Sequence, residues 1–292
     1  MGEENRKSKK VLYKKLAKYG ITKDEWEEID KYKGSAYFLP TTMLHKVDLY
    51  QYNMPRYGGV YDNPDFLEPE TIIDSYCKVY SAMCKFGKRN NKDLHICRID
   101  SDLFSDEMRE SGQTESLLSF SKESYKFDFA EGKNSLIFLN GILEKGIPCI
   151  DFTEFTGDSE SEVLLPPFLN IDYYDTEELL DGAYPIYNVC ISKNNPNILT
   201  DEEKENMELL KQSIIDSRIP YKYYTHWYDT ITYNPSAQGD DEKSVMLRQE
   251  FFKWQENLKK YLQLRFREIE NEIDYPKLKP IDFLTWGIER GK

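Results

Sequence analysis

The sequence predicts an α+β fold in which a mixed sheet follows a helical opening and precedes a helical end, and three observations carry that prediction. Up to about residue 90, apolar side chains recur at helical spacing. Between about 93 and 192 the pattern changes to short apolar or β-branched runs bounded by Gly, Pro, Asn or Asp. After 197 the helical spacing returns. Helices and strands segregated along a chain in this way read as α+β.

The elements follow in order. Residues 8–33 read as helical, with Val11, Leu12, Leu16 and Tyr19 on one stripe, a break at Gly20, and Thr22 placed to cap Lys23-Asp24-Glu25-Trp26. A further helix-prone piece covers 37–45. Pro55, Gly58, Gly59 and Pro64 mark 53–69 as loop. From Pro69 a helix is expected to about Phe86, with Ile72, Ile73, Tyr76, Val79, Tyr80 and Met83 on its buried face. Six strands are expected, at 93–99, 117–121, 134–143, 148–155, 162–171 and 186–192. Thr200 then opens a helix through Met207, Leu210 and Ile214, and a long helix is expected over 242–273. Between these two, 221–233 is an aromatic cluster around His226 and Trp227, which reads as packed core ahead of a docking surface.

Composition narrows the function classes. A formal net charge of −13 disfavours phosphate-driven nucleic-acid binding. The basic stretches Lys7-Ser8-Lys9-Lys10 and 85–92 read as solvated faces. Cys77, Cys84, Cys97, Cys149 and Cys190 show no CxxC spacing and accompany only three His, so no structural zinc is expected, and the odd count fits a reducing compartment. Residues 1–15 are charged with no apolar stretch, so no signal peptide is read, and no run of about 18 apolar residues predicts a membrane span. A soluble protein of cytoplasmic folding is expected, any export being by a leaderless route. Oligomeric state is not legible.

Three fragments carry the chemistry. In Leu94-His95-Ile96-Cys97-Arg98-Ile99 one guanidinium interrupts an apolar strand, a fork suited to a diphosphate. Leu117-Leu118-Ser119-Phe120-Ser121 sets two hydroxyls on one strand face. In Ser159-Glu160-Ser161-Glu162-Val163-Leu164-Leu165 two carboxylates sit at i and i+2 before a buried run. A strand through both would share them on one face, roughly 7 Å apart.

Taken in this order, the fragments resemble the arginine–serine–glutamate class of mono-ADP-ribosyltransferases, which includes bacterial toxins. The resemblance spans about 25–195. It includes the opening Ile29-Asp30-Lys31-Tyr32-Lys33-Gly34-Ser35-Ala36-Tyr37 and the run Glu162-Val163-Leu164-Leu165. It departs from the family at Ile99, where Gly often follows the strand Arg, and at Phe120, where Thr is usual. The resemblance implies a catalytic domain over 1–196, helical over 1–90 with its sheet core over 93–196, while the helical extension over 197–292 lies outside it and reads as an appendage packed on that domain. The resemblance implies NAD as substrate and no metal.

The resemblance also implies the roles. Arg98 grips the NAD diphosphate, and Ser119, with Ser121 beside it, lines the nicotinamide-ribose pocket. Phe129, or Phe127 next to it, stacks on nicotinamide. Glu162 stabilises the oxocarbenium ion, and Glu160 serves the acceptor, a Glu there implying arginine. Phe155, in the turn 153–159, meets the target protein. The alternatives are NAD hydrolysis and a non-catalytic partner-binding protein on a degenerate copy of the fold.

Overall fold

In the computed structural model, the described residues are 3–33, 43–44, 67–89, 92–101, 108–122, 136–156, 161–179, 184–193, 198–234 and 236–273. Most of the expected helix over 37–45 and of the expected loop over 53–69 lies outside them, and Met43 and Leu44 form a turn. Two compact units are distinguished. The first comprises Met1–Glu27, Tyr80–Asn195 and Ile273–Lys292, and the second Glu28–Val79 with Pro196–Glu272.

The first unit is built on one sheet. Its strands are β1 (Leu94–Ser101), β2 (Leu118–Ser121), β3 (Leu136–Leu143), β4 (Ile150–Asp151), β5 (Glu162–Leu165), β6 (Asn170–Leu179) and β7 (Tyr184–Ser192). Their spatial order is β4-β5-β2-β1-β3-β7-β6. All neighbours are antiparallel except β3 and β7, which run parallel, so the sheet is mixed as expected. Ile96, Phe138, Leu139, Val189 and Ile191 bury the middle of the sheet.

The chain enters this unit through α1 (Glu3–Tyr19) and the start of α2 (Lys23–Lys33). Gly20, at φ 73°, adopts the left-handed backbone that ends α1. Thr22 caps α2 as predicted. Its Oγ1 accepts from the Glu25 amide at 3.2 Å, and the Glu25 carboxylate accepts from the Thr22 amide at 2.7 Å. The other oxygen of Glu25 accepts from Lys85 Nζ and Ser81 Oγ, both at 2.6 Å, on α3 (Pro69–Gly87). Glu25 and Lys85 are both buried, so removing either would strand the other's charge, at about 3–5 kcal/mol. At the end of α3 the backbone runs against Ile147. A Cβ on Gly87 would stand 2.0 Å from the Ile147 carbonyl oxygen, so only glycine fits there.

Two strand expectations are corrected. The run 148–155 pairs only over Ile150–Asp151 and then turns into α4 (Phe152–Phe155). The cause is Asp151, whose side chain accepts from the Thr153 amide at 3.0 Å and caps that turn, outweighing the β-branched and aromatic composition. The run 162–171 is two strands. Pro166 and Pro167 have no amide to continue the ladder, and Phe168, at φ 70°, reverses the chain. The strand that follows, β6, extends past the expected run and carries Asp172, Asp175 and Glu177. It stands at the sheet edge, where charge is tolerated.

The second unit is helical. It holds α5 (Asp201–Ile215), α6 (Ile219–Tyr233) and α7 (Glu242–Glu272). Thr200 and Glu203 form a capping box at the start of α5, and Arg267 on α7 donates to Glu203 at 2.7 Å. The aromatic cluster is core as expected. Tyr223 stacks on Phe251 at 4.7 Å, Phe251 on Trp254 at 5.8 Å, and Tyr224 and Trp227 are buried. No helix among the described residues is long and apolar enough to cross a membrane.

Candidate functional site

The three fragments that stood apart in sequence occupy three adjacent strands. β5 lies beside β2, and β2 beside β1. In the ladder between β2 and β5, Ser121 stands opposite Glu162, Phe120 opposite Val163, and Ser119 opposite Leu164. The alternation puts Phe120 and Val163 into the core, where both are buried, and leaves Ser119, Ser121 and Glu162 on the other face. Phe120 in place of the usual residue is therefore accommodated by packing.

Glu162 is long enough to reach diagonally across the ladder, and the Ser119 hydroxyl donates to its Oε1. The backbone carbonyl of the same Ser119 accepts from Arg98 Nη1 at 2.7 Å. Ser119 thus joins the guanidinium to the carboxylate through its two polar groups. Glu162 is 9 % exposed and Arg98 half-buried, so both ends of this path are partly desolvated. There their fields are stronger than at an open surface. Ser121, opposite Glu162, accepts from Cys97 Sγ through its carbonyl at 3.5 Å.

Of the two glutamates expected to share a strand face, Glu162 is the described one and opens β5. The strand starts at Glu162, and Ser161 before it has φ 52°, a left-handed turn that breaks the alternation. Glu160 itself lies outside the described residues, as do Phe127 and Phe129. Phe155 is corrected as a contact for a target protein. It is 3 % exposed and packs against Tyr19, Trp26 and Phe86 with ring centroids 5.5, 5.0 and 5.6 Å away. The aromatic character that marks a recognition residue here anchors α4 to the helices.

Two contributors were not singled out in the sequence. Lys122, directly after Ser121, donates to Asp151 Oδ2 and Thr153 Oγ1, each at 2.6 Å, while its amide donates to the Ser161 carbonyl at 3.0 Å. Its position one residue past the Ser-x-Ser motif was the available signal. Thr114, fully buried, secures the far end of β5. Its Oγ1 donates to the Pro166 carbonyl and accepts from the Leu169 amide, both at 2.9 Å. Nothing in the sequence marks a lone Thr for that task.

Burial pushes the Cys97 and Cys149 thiols up from their ordinary value, so neither offers a thiolate at neutral pH. Among the described residues no group of three or more His, Cys, Asp and Glu could hold a metal ion.

No family model matches the chain, and no curated protein matches it. Solved structures do. Plx2a, an ADP-ribosyltransferase toxin from Paenibacillus larvae, is 14 % identical over 64 % of this chain and 96 % of its own, with a TM-score of 0.41. An ADP-ribosyltransferase from Clostridium botulinum is 17 % identical over 64 % of this chain and 96 % of its own, with a TM-score of 0.41. Vis toxin, an ADP-ribosyltransferase from Vibrio splendidus, is 18 % identical over 66 % of this chain and 87 % of its own, with a TM-score of 0.40. All three are ADP-ribosyltransferases.

Proposed function

We propose that the chain transfers ADP-ribose from NAD to a side chain of a target protein, with arginine as the acceptor and with the action of a toxin or effector. The observation that carries this reading is the hydrogen-bonded path from Arg98 through Ser119 to Glu162 across three neighbouring strands.

The residues fit the substrate. A guanidinium matches a diphosphate in charge and in the geometry of its donors. A buried carboxylate steadied by one hydroxyl suits a ribose hydroxyl and the positive charge that develops on the ribose. The bond to be broken joins the ribose to a positively charged nicotinamide, and its electron pair leaves with the ring, giving a neutral product. Such a leaving group needs little acid assistance, so one carboxylate near the cation serves where glycoside hydrolysis elsewhere uses two. Glu162 takes that part, Ser119 orients it and Arg98 holds the diphosphate. The acceptor nitrogen then bonds to the ribose carbon and loses a proton, the part we assign to Glu160.

Water in place of the protein acceptor would make the chain an NAD glycohydrolase, and both outcomes share the first step. Labelled NAD incubated with the protein and a cell lysate is expected to label protein bands and release nicotinamide. Release without labelled protein favours hydrolysis, and silence in both assays removes the enzymatic reading. Glu160→Gln is expected to keep nicotinamide release while losing transfer to arginine. Transfer that survives this change, or a linkage that resists neutral hydroxylamine, removes the arginine assignment.

A further inference from the structure

We infer that Lys122 is a positioning residue that braces the mouth of β5 and so holds Glu162 in line with Ser119; the inference rests on the transfer reading above. β5 lies between β2 and β4. Lys122 leaves the end of β2 opposite Ser161, because Ser121 pairs with Glu162. Asp151, on β4, pairs with Val163 on the far side of β5. The 2.6 Å bonds from Lys122 Nζ to Asp151 and Thr153 therefore carry its side chain from one flanking strand to the other, past the first residues of β5. Its own amide ties the Ser161 carbonyl at 3.0 Å, at the left-handed residue directly before Glu162.

The need for such a brace follows from local structure. β5 has four residues, and the left-handed turn at Ser161 leaves its first residue without a regular ladder on the N-terminal side. The ammonium also satisfies the Asp151 carboxylate, which is 7 % exposed and caps α4 with its other oxygen. One cation thus secures β2, β4, the α4 cap and the entry to β5. Losing it would let Glu162 shift relative to Ser119 while Arg98, on β1, keeps its place. A displacement of about 1 Å at a reacting group can cost on the order of a hundredfold in rate.

The test compares wild type with Lys122→Met and Lys122→Arg. For Lys122→Met, kcat for nicotinamide release is expected to fall at least about tenfold with KM for NAD within about threefold, since diphosphate binding stays with Arg98. Lys122→Arg, which keeps the cation, is expected to recover most of the loss. Hydrogen exchange on the same samples should quicken at the amides of 161–163 in Lys122→Met and stay unchanged over β1 and β3. An unchanged kcat in Lys122→Met, a kcat loss that the Arg variant fails to restore, or unchanged exchange at 161–163 overturns the inference. Wild type without any nicotinamide release would overturn the transfer reading instead, and the exchange comparison would still decide the brace.

Discussion

Two of the hydrogen bonds in which a serine hydroxyl donates to a carboxylate are put to different uses. In the sheet unit Ser119 donates to Glu162, and in the helical unit Ser244 donates to Asp241. The second place looks richer in catalytic parts, because His226 Nε2 stands 2.9 Å from Ser244 Oγ and 4.0 Å from Asp241. The direction of the bonds decides against it. The Ser244 hydroxyl gives its hydrogen to Asp241, so His226 Nε2 must donate to Ser244 and has no lone pair to take its proton. Ser244 is 0 % exposed, and its amide donates to Asp241 Oδ1 at 3.0 Å, the bond of a residue capping α7.

Glu162 opens β5 with its backbone paired to Ser121 on β2, and its side chain reaches the Ser119 hydroxyl. The Asp241 carboxylate closes a helix end, and the Glu162 carboxylate is buried and held by the Ser119 hydroxyl. The buried position is also costly unless hydrogen-bonded, which is what Ser119 provides.

Substitutions can break or sharpen this contrast. The largest effect is expected from Glu162→Gln, which keeps the shape and removes the charge. Nicotinamide release should fall by about 10²–10³-fold with thermal unfolding little changed, and activity within a few-fold of wild type would show that Glu162 is not the stabilising carboxylate. Ser119→Ala should come next. Loss of one hydrogen bond to a charged group is worth about 1.5–3 kcal/mol, so kcat should drop by about tenfold to a hundredfold while binding through Arg98 persists. Asp241→Ala should have the smallest effect on function, leaving nicotinamide release as in wild type. Its cost is to stability, about 1 kcal/mol for a lost cap, read as a fall of a few degrees in Tm.

The pH dependence of that cap has a definite sign. The hydroxyl and amide of Ser244 hold the Asp241 carboxyl below its ordinary value of 3.8. Its stabilisation is therefore complete above the ordinary aspartate range and is lost as pH falls through the lowered folded value. Asp241→Ala should accordingly lose its stability difference from wild type in strong acid.

Much of this arrangement could be read along the chain. Helical stripes such as Ile72, Ile73, Tyr76, Val79, Tyr80 and Met83 are buried as their spacing required. Thr22 and Thr200 cap the helices they precede, since a hydroxyl before an acidic first turn is a purely local signal. Arg98, Ser119 and Glu162 stood out by their order along the chain, which resembles a known motif, and not by any one of them alone. Phe155 was misread, since an aromatic ring on a turn is equally suited to a surface or to a core. Lys122 and Thr114 went unmarked because their partners lie 29–31 and 52–55 positions away.

The sequence by itself determined where α2, α3, α5 and α7 begin, because periodicity, capping and proline act over a few residues. It also supplied the chemistry of the site, because a guanidinium, a hydroxyl and a carboxylate keep their character in any fold. Only the tertiary structure decided that β1, β2 and β5 are neighbours, and hence that Arg98, Ser119 and Glu162 meet. It also decided that the outwardly similar Asp241, Ser244 and His226 serve as a helix cap. Strand order and the direction of a hydrogen bond depend on contacts between distant parts of the chain, which local pattern does not encode.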